Sequence, residues 1–301
     1  MHPTDQRLGG ALCVASAIAF GALAVFGKLA YDAGVGVLTL LAVRFAIAAP
    51  VLWAAALQRR RRSTLAGAGA RTVLAALALG AVGYSMQAGL FFAALTRMDA
   101  SLLSLVLYTY PAFVTIAAIA LGRETPSRRR IGALLASSCG VTLVLLGAGS
   151  GGFDWLGAAM AVGAALSYTG YILVSHRVGV RLDALPLAAL VTTGAALTFG
   201  IAGAATGSLD GDFAREGWAW LAAIALVSTV TPIVLFFAGL KRVGPSTAAI
   251  LSTLEPPTTV ALAFLAFGES LTSVQLAGGA LVLGAVLALN VPRGAFSPPA
   301  A

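Results

Sequence analysis

The chain has 301 residues, of which 59% are hydrophobic and only 10% charged, and its mean hydropathy is +0.94. A soluble domain carries about 25% charged residues, so a water-soluble globule is excluded and lipid is the solvent for most of this length. The net charge of +8 would suit nucleic acid in a soluble protein. Here the basic residues fall in short loops between apolar runs, where they report membrane orientation, and no nucleic-acid partner is expected.

Taken in chain order, the apolar runs predict ten helices, at 8–30, 35–57, 71–95, 100–121, 128–147, 153–176, 184–206, 216–239, 245–267 and 272–291. Each is close to the roughly 20 residues needed to cross the hydrocarbon. Met1 to Arg7 and the apolar run behind them imitate a signal peptide. That run is too long for a cleaved segment and leads straight into further helices, so it is read as helix 1. Gly34, Gly149 to Gly152 and Gly207 to Gly211 mark breaks. The fold class expected is all-α, a polytopic membrane protein.

The chain then repeats itself. Leu90-Phe91-Phe92-Ala93-Ala94-Leu95-Thr96-Arg97 returns as Leu235-Phe236-Phe237-Ala238-Gly239-Leu240-Lys241-Arg242. Without a gap, Ser101 falls on Ser246, Pro111 on Pro256 and Glu124 on Glu269. The halves divide at 1–150 and 151–301, within one membrane unit. Five crossings per half turn the second copy over, which makes an inverted repeat, and such repeats build secondary transporters.

The charges agree with that count. Arg7, Arg59 to Arg62, Arg71, Arg123, Arg128 to Arg130, Arg177, Arg181, Lys241, Arg242 and Arg293 all map to one side. The other side keeps only Arg97 and Arg215 among its acids. Positive residues mark the cytoplasmic side, so both termini are expected there, in a bacterial inner membrane. Arg59 to Arg62 is read as a topology anchor. Cys13 and Cys139 lie in apolar segments and are read as small packing residues.

With these motifs in place, the chain resembles the ten-helix, EamA-type branch of the drug/metabolite transporter superfamily. The resemblance rests on Arg44 within helix 2, Tyr108-Thr109-Tyr110-Pro111 in helix 4 with Gly122-Arg123-Glu124 at its end, and Leu254-Glu255-Pro256-Pro257 in helix 9 with Phe267-Gly268-Glu269 at its end. Within that family it is most similar to exporters of amino acids and related metabolites. The resemblance implies a central cavity lined by helices 1, 3, 4, 6, 8 and 9, with helices 5 and 10 packed outside.

Polar residues mark the faces toward that cavity, because lipid would leave their hydrogen bonds unmade. Helix 3 offers Tyr84 and Gln87 in line with Phe91, helix 4 Ser101, Ser104, Tyr108 and Thr115, and helix 6 Ser167, Tyr168 and Tyr171. Helix 8 offers Ser228 and Thr231, and helix 9 Ser252, Glu255 and Thr259. Tyr84, Gln87, Ser104, Tyr108, Tyr168, Tyr171, Thr231, Ser252 and Glu255 are the candidate substrate-binding set; for any single hydroxyl, interhelical bonding is the plain alternative.

Glu255 is the sharpest candidate. An acid at mid-bilayer costs roughly 2.5–3.5 kcal/mol on insertion scales, which a cavity, a cationic substrate group, a proton or a basic partner would offset. The structural alternative is an ion pair with Arg44 or Lys28. Pro256 and Pro257 behind it predict a kink that frees the carbonyls of Leu251 to Thr253. Lys28 either snorkels to the interface or lines the outer mouth, and Arg44 is too deep to escape, so it forms a structural pair or binds carbonyls. Trp53, Trp155, Trp218 and Trp220 read as interface anchors. Gly132, Ala136 and Gly140, with Ala280, Gly284 and Ala288, form small-residue stripes for packing between the halves or for a homodimer.

Two other classes are weighed. A membrane enzyme needs convergent acids or a nucleophile with a base, and the sequence offers only His2, His176 and scarcely any intramembrane acid beyond Glu255. A channel would show flux without saturation. The expectation is a non-enzymatic carrier of a small-molecule substrate, without metal or cofactor; quaternary cations, sugars or nucleosides are the alternative cargo.

Overall fold

A computed structural model describes residues 3–58, 67–122, 125–147, 154–179 and 182–290. No strand forms among the described residues. Nine helices are long and apolar enough to span a membrane: Asp5–Asp32, Val37–Leu57, Gly69–Leu95, Ala100–Ala120, Arg128–Leu146, Trp155–Ser175, Ala184–Thr206, Arg215–Val243 and Thr247–Phe267. A shorter apolar helix, Ser273–Leu289, is the tenth. They are called helices 1 to 10 below. Five precede residue 150 and five follow it, so a chain that crosses once per helix carries its second half upside down. The division expected at 150 and the anchor at Arg59 to Arg62 lie outside the described residues.

The core follows from composition. Small residues let helices approach closely, and bulky side chains then fill the seams. Ala30, Leu40, Leu41, Phe45, Phe92, Leu103 and Leu221 are buried completely in the main cluster, which draws on helices 1 to 9. Helix 5 packs along helix 10. A Cβ on Gly140 would stand 2.7 Å from the carbonyl oxygen of Gly278. Gly140 makes the close approach expected of its stripe, but against Gly278 rather than Gly284, and Gly132 and Gly284 face nothing within 4 Å. Cys13 is buried, but Cys139 is exposed on the outer face of helix 5 rather than packed. Trp53, expected as an interface anchor, donates its indole N–H to Thr193 Oγ1 at 3.0 Å.

Helix 1 is interrupted for one residue at Ala22, and four further helices are interrupted in two matched pairs. Helix 3 carries a π-helical turn at Leu79–Tyr84, and helix 8 carries one at Leu226–Val230. A π turn loosens the hydrogen-bond ladder. In each, a hydroxyl five residues on takes a loosened carbonyl, Ser85 Oγ bonding Gly80 O at 2.9 Å and Thr229 Oγ1 bonding Ile224 O at 2.8 Å. Helix 4 divides into 4a (Ala100–Leu107) and 4b (Tyr110–Ala120), and helix 9 into 9a (Pro245–Ser252) and 9b (Glu255–Phe267). The cause is local: Pro111 and Pro256 occupy the first turns of 4b and 9b, where a missing N–H is tolerated and continuation from the preceding turn is not. The gapless alignment that sets Pro111 on Pro256 also superimposes these two breaks.

Candidate functional site

The break in helix 9 changes the setting of Glu255. The sequence reading put it ten residues into a kinked but continuous helix; it is instead the first residue of 9b. A carboxyl there faces the positive end of the helix dipole and unsatisfied N–H groups. Of the carbonyls expected to be freed, Leu251 O accepts from Leu254 N–H at 3.2 Å, and Ser252 O accepts the Tyr108 hydroxyl at 2.6 Å. Tyr108 also lies 2.9 Å from Glu255 Oε2. Helix 1 comes close because Gly21 has no side chain: a Cβ there would sit 2.9 Å from Glu255 O. Thr259 Oγ1 bonds the Gly21 carbonyl at 2.9 Å and fixes that approach.

Tyrosine rings extend from this point in an unbroken series. Tyr108 meets Tyr110 edge-on with ring centroids 5.8 Å apart, Tyr110 meets Tyr168 at 4.6 Å, Tyr168 stacks on Tyr171 at 5.9 Å, and Tyr171 meets Tyr84 at 5.4 Å. Tyr84 ends the series against Phe45 at 5.5 Å. Tyr108 is buried, whereas Glu255 and the other four tyrosines are only partly so. Helices 3, 4, 6 and 9 therefore bring six polar side chains to one accessible seam at mid-span.

Arg44, buried to 2% exposure, stands beyond Tyr84. Its Nε donates to Thr229 Oγ1 at 2.8 Å, and its guanidinium lies over the rings of Phe45 at 4.8 Å and Phe92 at 5.4 Å. Neither Arg44 nor Lys28 pairs with Glu255 among the described residues, so the ion-pair alternative for Glu255 is not what the fold adopts. Of the two roles expected for Arg44 the fold shows a structural pairing: among the described residues it bonds no backbone carbonyl, and its partners are the hydroxyls of Thr229, in the helix-8 π turn, and Tyr84.

Lys28 does something that neither alternative anticipated. Its Nζ lies 2.7 Å from Glu269 Oε1 and 3.5 Å from Asp99 Oδ1. Glu269 in turn accepts from Ala100 N–H at 3.2 Å, Ser101 N–H at 3.1 Å and Ser101 Oγ at 2.8 Å. An acid from the second half thus caps the N-terminus of helix 4a in the first. Burial pushes the Glu269 carboxyl up, but the Lys28 and Ser101 hydrogen bonds outweigh it and hold the carboxyl below its ordinary range. Its repeat mate Glu124 lies outside the described residues.

The remaining candidates are less concentrated. Ser252 Oγ bonds back to Ala248 O at 3.0 Å within its own helix. Gln87 and Ser104 are buried and Thr231 is exposed, and none makes a side-chain hydrogen bond among the described residues. Thr115 bonds Pro111 O at 2.9 Å, and Ser101 belongs to the Glu269 cap. Thr229 was missed as a site residue, and Tyr110, though a tyrosine on a cavity helix, was left out of the candidate set. Tyr110 stood inside the quoted helix-4 motif and could have been found by setting the two breaks side by side; Thr229 carried no signal, because a π turn decides where it points. No group of three or more His, Cys, Asp or Glu able to hold a metal occurs among the described residues.

The comparisons with known proteins match the architecture. The model of the EamA-like transporter family matches twice, at residues 7–146 and 155–291. The chain is 28% identical over 284 residues to the uncharacterized transporter YcbK of Bacillus subtilis (strain 168), covering 91% of this chain and 90% of that one. It is 42% identical over 76 residues to an uncharacterized transporter of Archaeoglobus fulgidus, a match that takes in 25% of this chain and only 28% of the relative's length. A solved crystal structure at 17% identity superposes with a TM-score of 0.64 over 96% of this chain and 97% of the other, which supports the fold. With both halves matched separately and nearly the whole length covered, the chain belongs to the EamA-like transporter family.

Proposed function

We propose that this transporter exports amino acids and related small amphipathic compounds by alternating access, and that the seam between Glu255 and Tyr84 receives them. The observation that carries the reading is the junction of an acid with a tyrosine series at the helix-9 break. An ammonium group suits a carboxyl and the faces of aromatic rings, and an apolar side chain suits the ring edges and the alanine-rich walls. Polyanions do not suit a seam whose described cations, Lys28 and Arg44, are engaged with Glu269 and Thr229. Gln87, Ser104, Thr231 and Ser252 complete the proposed lining. Alternating access follows from inverted repeats, and the Lys28–Glu269 cap would be one closure, on the outer side if the arginine-rich loops face the cytoplasm.

The same reading takes the protein as a carrier rather than an enzyme, in a bacterial inner membrane with both termini cytoplasmic. A homodimer is not required, since the proposed seam lies within one chain. The tyrosine series gives a second reading its support: aromatic faces bind quaternary ammonium ions without needing a hydrogen bond, so quaternary cations are the alternative cargo. A counterflow screen in proteoliposomes with labelled amino acids, quaternary amines, nucleosides, sugars and phosphorylated sugars tests both. Saturable counterflow of amino acids is expected. Saturable transport of phosphorylated sugars with none of amino acids would refute the reading.

A further inference from the structure

Arg44 carries a charge that no described residue neutralises. It lies within helix 2, is 2% exposed, and meets no carboxylate among the described residues. Glu269 is engaged with Lys28, and Glu255 with Tyr108. A guanidinium has five N–H groups. The hydroxyls of Thr229 and Tyr84 take the bonds that Arg44 makes, and the rings of Phe45 and Phe92 cover it. Rings and hydroxyls stabilise a cation but leave its charge standing. Charged side chains inside a membrane are rare; they pair with one another or mark the path of a substrate. Arg44 has no acid to pair with, which leaves the second role.

That charge reaches the seam through Tyr84. The phenol oxygen accepts from Arg44 and still holds its own proton, which it donates to none of the described residues. Tyr84 is only half-buried and ends the ring series at Tyr171, so the proton is offered to the seam. Hydrogen bonds in a chain polarise one another, and a hydroxyl backed by a cation is a stronger donor. Gln87 follows three residues on, one turn along the same side of helix 3. It is buried, and its amide likewise bonds none of the described residues. The register that sets Leu90 on Leu235 also sets Tyr84 on Thr229. Arg44 therefore bridges equivalent positions of the two halves, a place that serves a cargo arriving from either side.

We infer that Tyr84 and Gln87, with Arg44 behind Tyr84, form a subsite for one carboxylate of the cargo. This rests on the reading of the seam between Glu255 and Tyr84 as the substrate site, and it narrows the cargo to dipolar compounds. Tyr168 lies in electrostatic reach of both Glu255 and Tyr84. A zwitterion resting against Tyr168 turns its ammonium group toward the acid and its carboxylate toward the donors. Quaternary ammonium ions without an acid leave the donors unmatched, and a polyanion still meets a single cation. Tyr84 touches the cargo and sets specificity; Arg44 is a positioning residue that acts through it.

The test compares each amino acid with its own amide, which keeps the ammonium group and side chain and removes the negative charge. Full-length protein in proteoliposomes performs counterflow of labelled L-leucine and L-threonine, with L-leucinamide and L-threoninamide as competitors. Wild type should favour the acid over its amide by roughly tenfold or more, the worth of a hydrogen bond to a charged group. Tyr84→Phe keeps the ring and should bring that ratio below about threefold, while inhibition by the amide stays as in the wild type. Arg44→Gln should act like Tyr84→Phe, and Arg44→Lys should restore the preference. A merely structural role would weaken acid and amide together and leave the ratio intact. Should Arg44→Gln fail to fold, Tyr84→Phe decides alone. Amino-acid counterflow with a wild-type ratio near one, or a ratio that Tyr84→Phe leaves unchanged, would overturn the subsite and leave the transport reading standing. Absence of counterflow for every amino acid in the wider panel would sink both.

Discussion

Helices 4 and 9 are built to one plan and do different chemistry. Both break at the same register, ahead of Pro111 and Pro256, and both enter a second segment with a polar residue in first position. In helix 4 that residue is Tyr110 and in helix 9 it is Glu255. The repeat has copied the backbone device, an interruption that places side chains at mid-span, and has put the acid in one copy only. The π turns of helices 3 and 8 say the same: each is closed by a hydroxyl five residues on, but only Thr229 receives a guanidinium. On the proposed reading, symmetry would supply two interchangeable conformations, and asymmetry the substrate chemistry.

Changing the two mirrored residues tests this comparison most strongly. Glu255→Ala should reduce amino-acid counterflow more than tenfold, and Tyr110→Phe, which keeps the ring, should reduce it no more than about threefold. Comparable losses in the two variants would mean that the acid has no special place.

A second contrast sets the Lys28–Glu269 cap against Arg97–Asp154. Glu269 has a side chain 7% exposed and closes the N-terminus of helix 4a. Glu269→Ala leaves Lys28 only the looser contact with Asp99 at 3.5 Å and uncaps that helix, and should cost about 1–2 kcal/mol, the range for a lost helix cap. Its pH dependence follows from a carboxyl held below its ordinary value near 4.5. The stabilisation is fully present above that value and is lost as pH falls through the lower folded one. The gap in melting temperature between wild type and Glu269→Gln should therefore persist at neutral pH and close in acid. A gap that widened in acid would place the cap's contribution elsewhere.

A third contrast lies along helix 5. Gly140→Val drives a side chain into the Gly278 backbone, and overpacking of this kind typically costs about 1–3 kcal/mol. Gly132→Val faces nothing within 4 Å and should leave the melting temperature unchanged. Smallest of all, Arg97→Ala removes an exposed pair at 3.0 Å, and exposed pairs contribute little; no shift in melting temperature is expected.

Much of this was legible before any coordinates. Composition excluded a soluble fold, run lengths placed ten helices to within a few residues, and the gapless repeat gave the two halves. Glu255, Tyr108, Tyr168, Tyr171 and Tyr84 were marked by polarity at helical spacing, and the structure brings them together. The sequence did not reveal how completely Pro256 ends the preceding segment, because a proline is compatible with a kink or a break. It could not give the partners of Lys28 and Arg44 either. Those contacts cross between halves, about 240 and 185 residues apart in the chain, and a π turn rotates Thr229 by an amount that regular periodicity does not encode. In the close contact of helices 5 and 10, Gly140 was legible on helix 5 but the register on helix 10 was not, since Gly278 and Gly284 are indistinguishable without the partner surface.

Alternating access at the helix-9 break can be measured directly with a single cysteine replacing Ser252, after Cys13 and Cys139 are changed to alanine. A membrane-impermeant thiol reagent is applied to right-side-out and inside-out vesicles, with and without saturating amino acid. The account predicts labelling from both sides, slowed by the amino acid in each case. Labelling from one side only, or rates untouched by the amino acid, would contradict it.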